Sequence, residues 1–160
     1  MKLKIALASD HGGFQLKEKI KKYLEEQNYE YEDFGTNNEE SVDYSDFASK
    51  VTESILAGNN DRGILICGTG IGMSIAANKV PGIRATLCHD EYTAKMSREH
   101  NDSNILVLGG RVLDKTKAKS IVDVWLKTEF TDEDRHARWL KKIEDIEKKV
   151  QNKFLNNKRP

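Results

Sequence analysis

Short apolar runs alternate with segments of helical period along this chain, a pattern that predicts repeated β-α units and an open parallel sheet. Lys4–Ser9 (KIALAS) reads as a buried strand, ended by Asp10-His11-Gly12-Gly13. Leu16, Ile20, Tyr23 and Leu24 then share one helical face. Tyr29–Phe34 is a second strand, stopped by Gly35, and Tyr44, Phe47, Ala48, Val51 and Ile55 keep helical spacing up to Gly58. Gly63–Ile66 is a third strand, followed by a glycine loop and a short helix that ends near Lys79. Pro81-Gly82 punctuates the chain before a fourth strand, Ile83–Leu87. A helix over Glu91–Glu99 precedes a fifth strand, Ile105–Leu108, and Ala118, Ile121, Val122, Trp125 and Leu126 mark a fifth helix.

Beyond Thr131 the pattern changes. Trp139, Ile143, Ile146 and Val150 recur at helical spacing in an otherwise charged segment. The preceding helices suffice to cover both faces of a five-stranded sheet, so this amphipathic helix needs a further surface. A partner subunit is the expected one; packing across its own domain is the alternative. The chain therefore reads as one domain, with residues 1–130 an α/β core and 131–160 a C-terminal helical extension, and 160 residues suit a single core.

Composition narrows the partners. The 26 basic and 26 acidic side chains cancel, which argues against a protein that grips nucleic-acid backbones or an anionic membrane surface. No apolar run approaches the ~18 residues of a membrane span. The run Ile5–Ala8 is too short for a secretory signal, and Cys67 and Cys88 form no C-x-x-C pair, so a reducing cytoplasm is expected. Residues 25–46 carry nine carboxylates and no Lys or Arg, read as a solvated acidic edge rather than a metal site.

In open α/β sheets, ligands bind beyond the carboxyl ends of the strands, where the strand order reverses. Five strands suggest a Rossmann or flavodoxin-like order, 2-1-3-4-5, with the reversal between strands 1 and 3. Those two strands run into the two most unusual loops, Asp10-His11-Gly12-Gly13 and Cys67-Gly68-Thr69-Gly70-Ile71-Gly72. Glycines at 68, 70 and 72 let backbone N–H groups approach a phosphate or a developing oxyanion. No Lys-Ser/Thr follows to make a Walker loop, and Met73 stands where a dinucleotide fingerprint has its third glycine. Asp90, some 20 residues on, keeps a nicotinamide-dependent reading open. A cysteine at a strand end is commonly a small buried hydrophobe, but the mouth of a glycine loop favours a thiolate, which would make Cys67 a base. Cys88 lacks that setting. His11 adjoins Asp10 at the ligand edge, and Arg111 follows the glycines that end strand 5. His100 could simply cap a helix. Arg135, His136 and Arg138 form a basic cluster that suits either a solvated face or a phosphate clamp.

The blocks Asp10-His11-Gly12-Gly13-Phe14, Asp33-Phe34-Gly35-Thr36, Gly63–Gly72, Ala76-Ala77-Asn78-Lys79, Pro81-Gly82-Ile83-Arg84 and His100-Asn101-Asp102 recur in an order that resembles type B ribose-5-phosphate isomerases. That family includes the galactose-6-phosphate isomerase subunits, and the resemblance runs from about Leu3 to Leu140. It implies an aldose–ketose isomerase of the non-oxidative pentose phosphate branch, working without metal or cofactor through a cis-enediolate. Cys67 would be the base, and the N–H groups of Gly68, Thr69, Gly70, Ile71 and Gly72 would stabilise the enediolate oxygen. His100 would assist opening of the furanose ring with Asp10 and Thr69 nearby; His11, Arg111 and Arg135 would hold the phosphate, and Asn101 the sugar. Members often carry a second phosphate arginine four residues after the first. Here Trp139 takes that position, and Arg138, the substitute, lies about 100° away around a helix. Because the helix after strand 4 runs away from the ligand edge, a shared site in a homodimer is expected, alone or within a tetramer. The substrate class is a small sugar phosphate: ribose 5-phosphate first, allose 6-phosphate or galactose 6-phosphate otherwise. A nicotinamide-dependent oxidoreductase and a non-catalytic sugar-phosphate sensor remain the rivals.

Overall fold

Successive side chains of a strand point to opposite faces, and here both faces are buried. Ile5, Leu7, Ile64, Ile66, Leu106 and Leu108 pack into one core, and Ala6, Ala8, Leu65, Cys67, Ile105 and Val107 into another. That double burial is why the strands read as continuous apolar runs rather than alternations. The computed structural model describes residues 3–155. The strands are β1 (Lys4–Ser9), β2 (Glu30–Asp33), β3 (Arg62–Cys67), β4 (Ala85–Leu87) and β5 (Ile105–Gly109), all parallel. The helices are α1 (Phe14–Glu26), α2 (Tyr44–Leu56), α3 (Ile71–Ala77), α4 (Glu91–Glu99), α5 (Lys115–Lys127) and α6 (Asp134–Val150), followed by a π-helical turn, Gln151–Leu155. Residues 1–2 and 156–160, part of the expected 1–130 and 131–160 division, lie outside the described residues.

The sheet order is β2-β1-β3-β5-β4, which corrects the expected 2-1-3-4-5. β5 takes the inner place because all five of its residues are buried, whereas β4 has three residues, two of them half-buried. The expected strand at Ile83–Leu87 is shortened at its start. Arg84 sends its N–H to the side-chain oxygen of Asn104 at 2.8 Å instead of into a ladder. A three-residue strand suits an edge. The chain thus passes over β5 to reach β4 and then steps back. With right-handed crossovers, stepping back places the connecting helix on the opposite face. Accordingly α4 lies on the same face as α1 and α5 and shares their core, through Ala94, Leu16, Ile20, Ala118, Ile121 and Trp125, while α2 and α3 cover the other face through Ala48, Val51, Met73 and Ala77. The reversal point between β1 and β3 is unchanged.

The last helix meets the rest of the fold through the His136 ring, set against His100, and through Glu147, which accepts the Gly82 N–H at 3.2 Å. Its apolar stripe stays uncovered: Trp139, Ile143, Ile146 and Val150 are 38–64% exposed. No helix among the described residues is long and apolar enough to cross a membrane.

Candidate active site

β1 and β3 end side by side, with Ser9 opposite Ile66. Asp10 continues the line, donating its N–H to the Ile66 carbonyl at 3.2 Å, and its buried carboxylate accepts the Gly13 N–H at 3.0 Å. The turn needs glycine: a Cβ on Gly13 would fall 2.3 Å from the Ile66 carbonyl oxygen. Next to it, Cys67 is 4% exposed and its Sγ accepts the Gly70 N–H at 3.1 Å. Gly70 starts α3 with φ +81°, a left-handed conformation that L side chains rarely adopt, and a Cβ there would collide with Leu87. The Thr69 hydroxyl accepts the Ile71 N–H at 3.3 Å.

Three more groups close around this loop. Arg111 donates its N–H to the Gly68 carbonyl at 2.9 Å, and its exposed side chain lies along the open face of Gly68. His11 accepts the Val42 N–H on Nδ1 at 3.2 Å, so its ring proton sits on Nε2. The Tyr44 ring lies against Gly72, where a Cβ would come within 2.8 Å of it. The segment that brings Val42 and Tyr44 here leaves β2 from an ionic anchor. Lys17, fully buried, donates to Asp33 at 2.5 Å and to Glu18 at 2.9 Å, and Lys21 reaches Asp33 at 3.0 Å. Burial pushes the Asp33 carboxyl up, but the Lys17 ammonium, the Gly35 N–H and Lys21 outweigh it and hold it below its ordinary value. Asp10, His11, Cys67, Gly68, Thr69, Gly70, Ile71, Gly72 and Arg111 are therefore brought together at the carboxyl edge of the sheet.

The other expected site residues are at the opposite edge. Asp90 caps α4 by accepting the Thr93 N–H at 2.7 Å, and the helix then runs back along the sheet to His100, its C-terminal cap. The Asn101 carbonyl accepts Arg84 Nε at 3.0 Å, and Arg84 immediately precedes β4. Asp102, at φ +43°, is bracketed by Arg84 at 2.9 Å and Arg98 at 2.8 Å. The His100 ring centroid is 4.3 Å from that of His136, and the Trp139 ring follows at 5.1 Å from His136. Arg135, paired with Glu133 at 3.0 Å, and Arg138 are exposed on the same end of α6. A strand the length of β3 separates the two edges by about 16 Å. Within one chain, His100, Asn101, Arg135 and Arg138 do not join Cys67.

Two residues near these groups escaped the reading of the sequence as site residues. Tyr44 looked like the first position of an apolar helical face, but it is 44% exposed and covers Gly72. His136 was visible only as one member of a basic cluster, yet it is 1% exposed and stacked on His100. No periodicity separates such positions from ordinary surface. Among the described residues, no three His, Cys, Asp or Glu side chains gather so as to hold a metal ion. The carboxyl edge offers a thiol beside a turn of backbone donors, with Asp10, His11 and Arg111 around it. That is a setting for moving a proton next to a developing oxyanion.

The chain matches known proteins over nearly its whole length. A ribose/galactose isomerase family profile covers residues 5–143. The ribose-5-phosphate isomerase B of Escherichia coli is 47% identical over 146 residues, spanning 91% of this chain and 97% of that protein. Among solved structures, the ribose-5-phosphate isomerase B of Clostridium thermocellum superposes with a TM-score of 0.90 at 57% identity, covering 92% of this chain and 99% of that one. The Thermotoga maritima ribose 5-phosphate isomerase superposes with a TM-score of 0.88 at 53% identity, covering 91% and 99%.

Proposed function

The chain belongs to the ribose/galactose isomerase family, and from that membership we propose how its own residues carry out the reaction. It is a ribose-5-phosphate isomerase, an aldose–ketose isomerase that interconverts ribose 5-phosphate and ribulose 5-phosphate. From aldose to ketose Cys67, as thiolate, takes the proton from C2. The electrons left behind make a cis-enediolate, whose oxygen faces the N–H groups of Gly68–Gly72; a proton passes from O2 to O1 and the carbon proton returns at C1, which gives the ketose. Backbone donors aimed at a developing oxyanion commonly supply several kcal/mol in such steps, about 2.7–4 for one donor.

Ring opening precedes that step, and His100 carries it by passing a proton between the C1 hydroxyl and the ring oxygen, with Asp10 and Thr69 alongside. The observation that supports a shared site is the division of residues between the two sheet edges. Cys67, Asp10, His11, Thr69 and Arg111 stand at one edge and His100, Asn101 and Arg135 at the other, on a chain whose α6 stripe is uncovered. A homodimer resolves both facts. One subunit supplies the base, the oxyanion donors, His11 and Arg111. The partner supplies His100, Asn101 for a sugar hydroxyl, and Arg135 with Arg138 for the phosphate. Residues 131–160 then serve the core 1–130 as its dimerising extension, and the enzyme works in the cytoplasm.

NMR of the purified protein with ribose 5-phosphate in deuterated buffer containing EDTA tests this reading. Ribulose 5-phosphate should form, with solvent exchange at C2. Cys67→Ala should lose both by about 10²–10⁴-fold while remaining folded. Near-normal turnover by Cys67→Ala would move the base elsewhere. Allose 6-phosphate and galactose 6-phosphate, assayed in parallel, rank the sugar chain lengths.

A further inference from the structure

His136 is buried to 1% exposure, yet its Nε2 has no hydrogen-bond partner among the described residues. Its Nδ1 lies 2.8 Å from the Thr131 hydroxyl. That hydroxyl has one hydrogen, and the Glu99 carbonyl stands 2.9 Å away to receive it. The Thr131 oxygen therefore accepts from His136, and the imidazole proton is on Nδ1. A second proton on Nε2 would be a buried N–H with no acceptor, which is costlier than an unused lone pair. Thr131 is itself held to the end of α4, because its backbone N–H also donates to Glu99 at 3.3 Å. One face of the His136 ring meets His100 at 4.3 Å between centroids and 33° between planes, and Trp139 packs against it at 5.1 Å.

We propose that His136, locked as the Nδ1–H tautomer by Thr131 and packed between Trp139 and His100, is a positioning residue that fixes the His100 ring for opening the sugar. The inference rests on the reading that His100 performs that step. The contact sets a ring of fixed tautomer and fixed orientation against the His100 ring. Electrostatics agree in direction. Burial lowers His136 below the ordinary imidazole range, and His100 and Arg135 lower it further against the opposing pull of Glu133 and Glu99.

The two substrates separate positioning from general damage. Ribose 5-phosphate enters as a furanose and must be opened. Ribulose 5-phosphate, with its 5-oxygen esterified, cannot close a furanose, so exchange of its C1 proton with solvent needs Cys67 but no ring opening. His136→Ala and Thr131→Val should each lower kcat on ribose 5-phosphate by about 10- to 100-fold, the scale of a misplaced reacting group. Their C1 exchange on ribulose 5-phosphate should stay within about twofold of wild type, and Thr131→Ser, which restores the acceptor, should recover turnover. Should His136→Ala fail to fold, Thr131→Val with its serine control carries the test. His100→Asn, run alongside, should show the same selective loss, only larger. If His100→Asn loses exchange and turnover equally, the ring-opening role of His100 falls, and the proposal with it. If His100→Asn is selective while the His136 and Thr131 variants match wild type, or lose both activities in parallel, the positioning role alone is overturned.

Discussion

Mixing two inactive variants should restore activity. Cys67→Ala removes the proposed base at the carboxyl end of β3, and His100→Asn removes the proposed ring-opening group at the far end of α4. Six residues of β3 span about 16 Å, and nine residues of α4 carry the chain back by about 13 Å, so a sugar phosphate cannot bridge the two groups within one subunit. In the proposed symmetric dimer each site would take Cys67 from one chain and His100 from the other. Equal amounts of the two variants, after subunit exchange, give about half mixed dimers. Each mixed dimer has one site with both groups intact and one with neither, so recovery should approach about a quarter of wild-type activity. The assay is ribulose 5-phosphate formation before and after exchange under mild denaturant, with mixed dimers counted by native mass spectrometry of a tagged variant. Each variant alone should lie about 10²-fold or more below wild type. Mixed dimers in the expected amount without recovered activity would place both groups in one subunit's site and refute the division between edges.

Two smaller perturbations test the proposed phosphate contact and the anchor under the site. Arg135→Ala should raise KM for ribose 5-phosphate by about 10- to 150-fold, the worth of a charge-assisted hydrogen bond of roughly 1.5–3 kcal/mol, with a far smaller effect on unphosphorylated ribose; equal losses on both sugars would mark a structural arginine. Asp33→Asn leaves the fully buried Lys17 with Glu18 as its remaining carboxylate and should cost about 3 kcal/mol at pH 7. Because the folded carboxyl of Asp33 lies below its unfolded value, its contribution is complete above about pH 4 and disappears as pH falls through the folded value, so the gap to wild type in urea unfolding should narrow at pH 3; a gap independent of pH would mean that Asp33 acts through packing instead of charge.

Strands were legible in this chain wherever burial was two-sided. KIALAS and ILVL needed no alternation to be recognised, since a run of that length between Gly and Asp stops has few other uses. The reversal point was legible too, because it falls between β1 and β3 in the expected and the observed order alike. Strand order was harder. It turned on whether β4 or β5 deserved the inner place, and the clue was Arg84, a charged residue inside the presumed fourth strand whose guanidinium serves Asn101 and Asp102 instead. His136 was not legible at all, since nothing in Arg-His-Ala-Arg announces a ring that folds back under His100.

Order and edge are nevertheless independent properties of the fold. Exchanging β4 and β5 moves α4 from one face of the sheet to the other, but it does not alter the direction in which α4 runs. Any helix that follows a parallel strand begins at the carboxyl edge and descends toward the amino edge, so nine residues after Asp90 the chain must be near the foot of the sheet. His100 is there in the observed order and would be there in the expected one. What the order does decide is the company His100 keeps. On the α1–α5 face, the end of α4 lies beside the end of α5, where Arg98 reaches the Thr128 carbonyl at 3.2 Å and Thr131 reaches Glu99. Those contacts deliver the start of α6, and with it Arg135 and His136, to the side of His100. On the α2–α3 face, α4 would have ended away from α5, and Arg135 and His100 would have had no common support. The short edge strand is thus what sets Arg135 and His136 beside His100 at one corner of the fold.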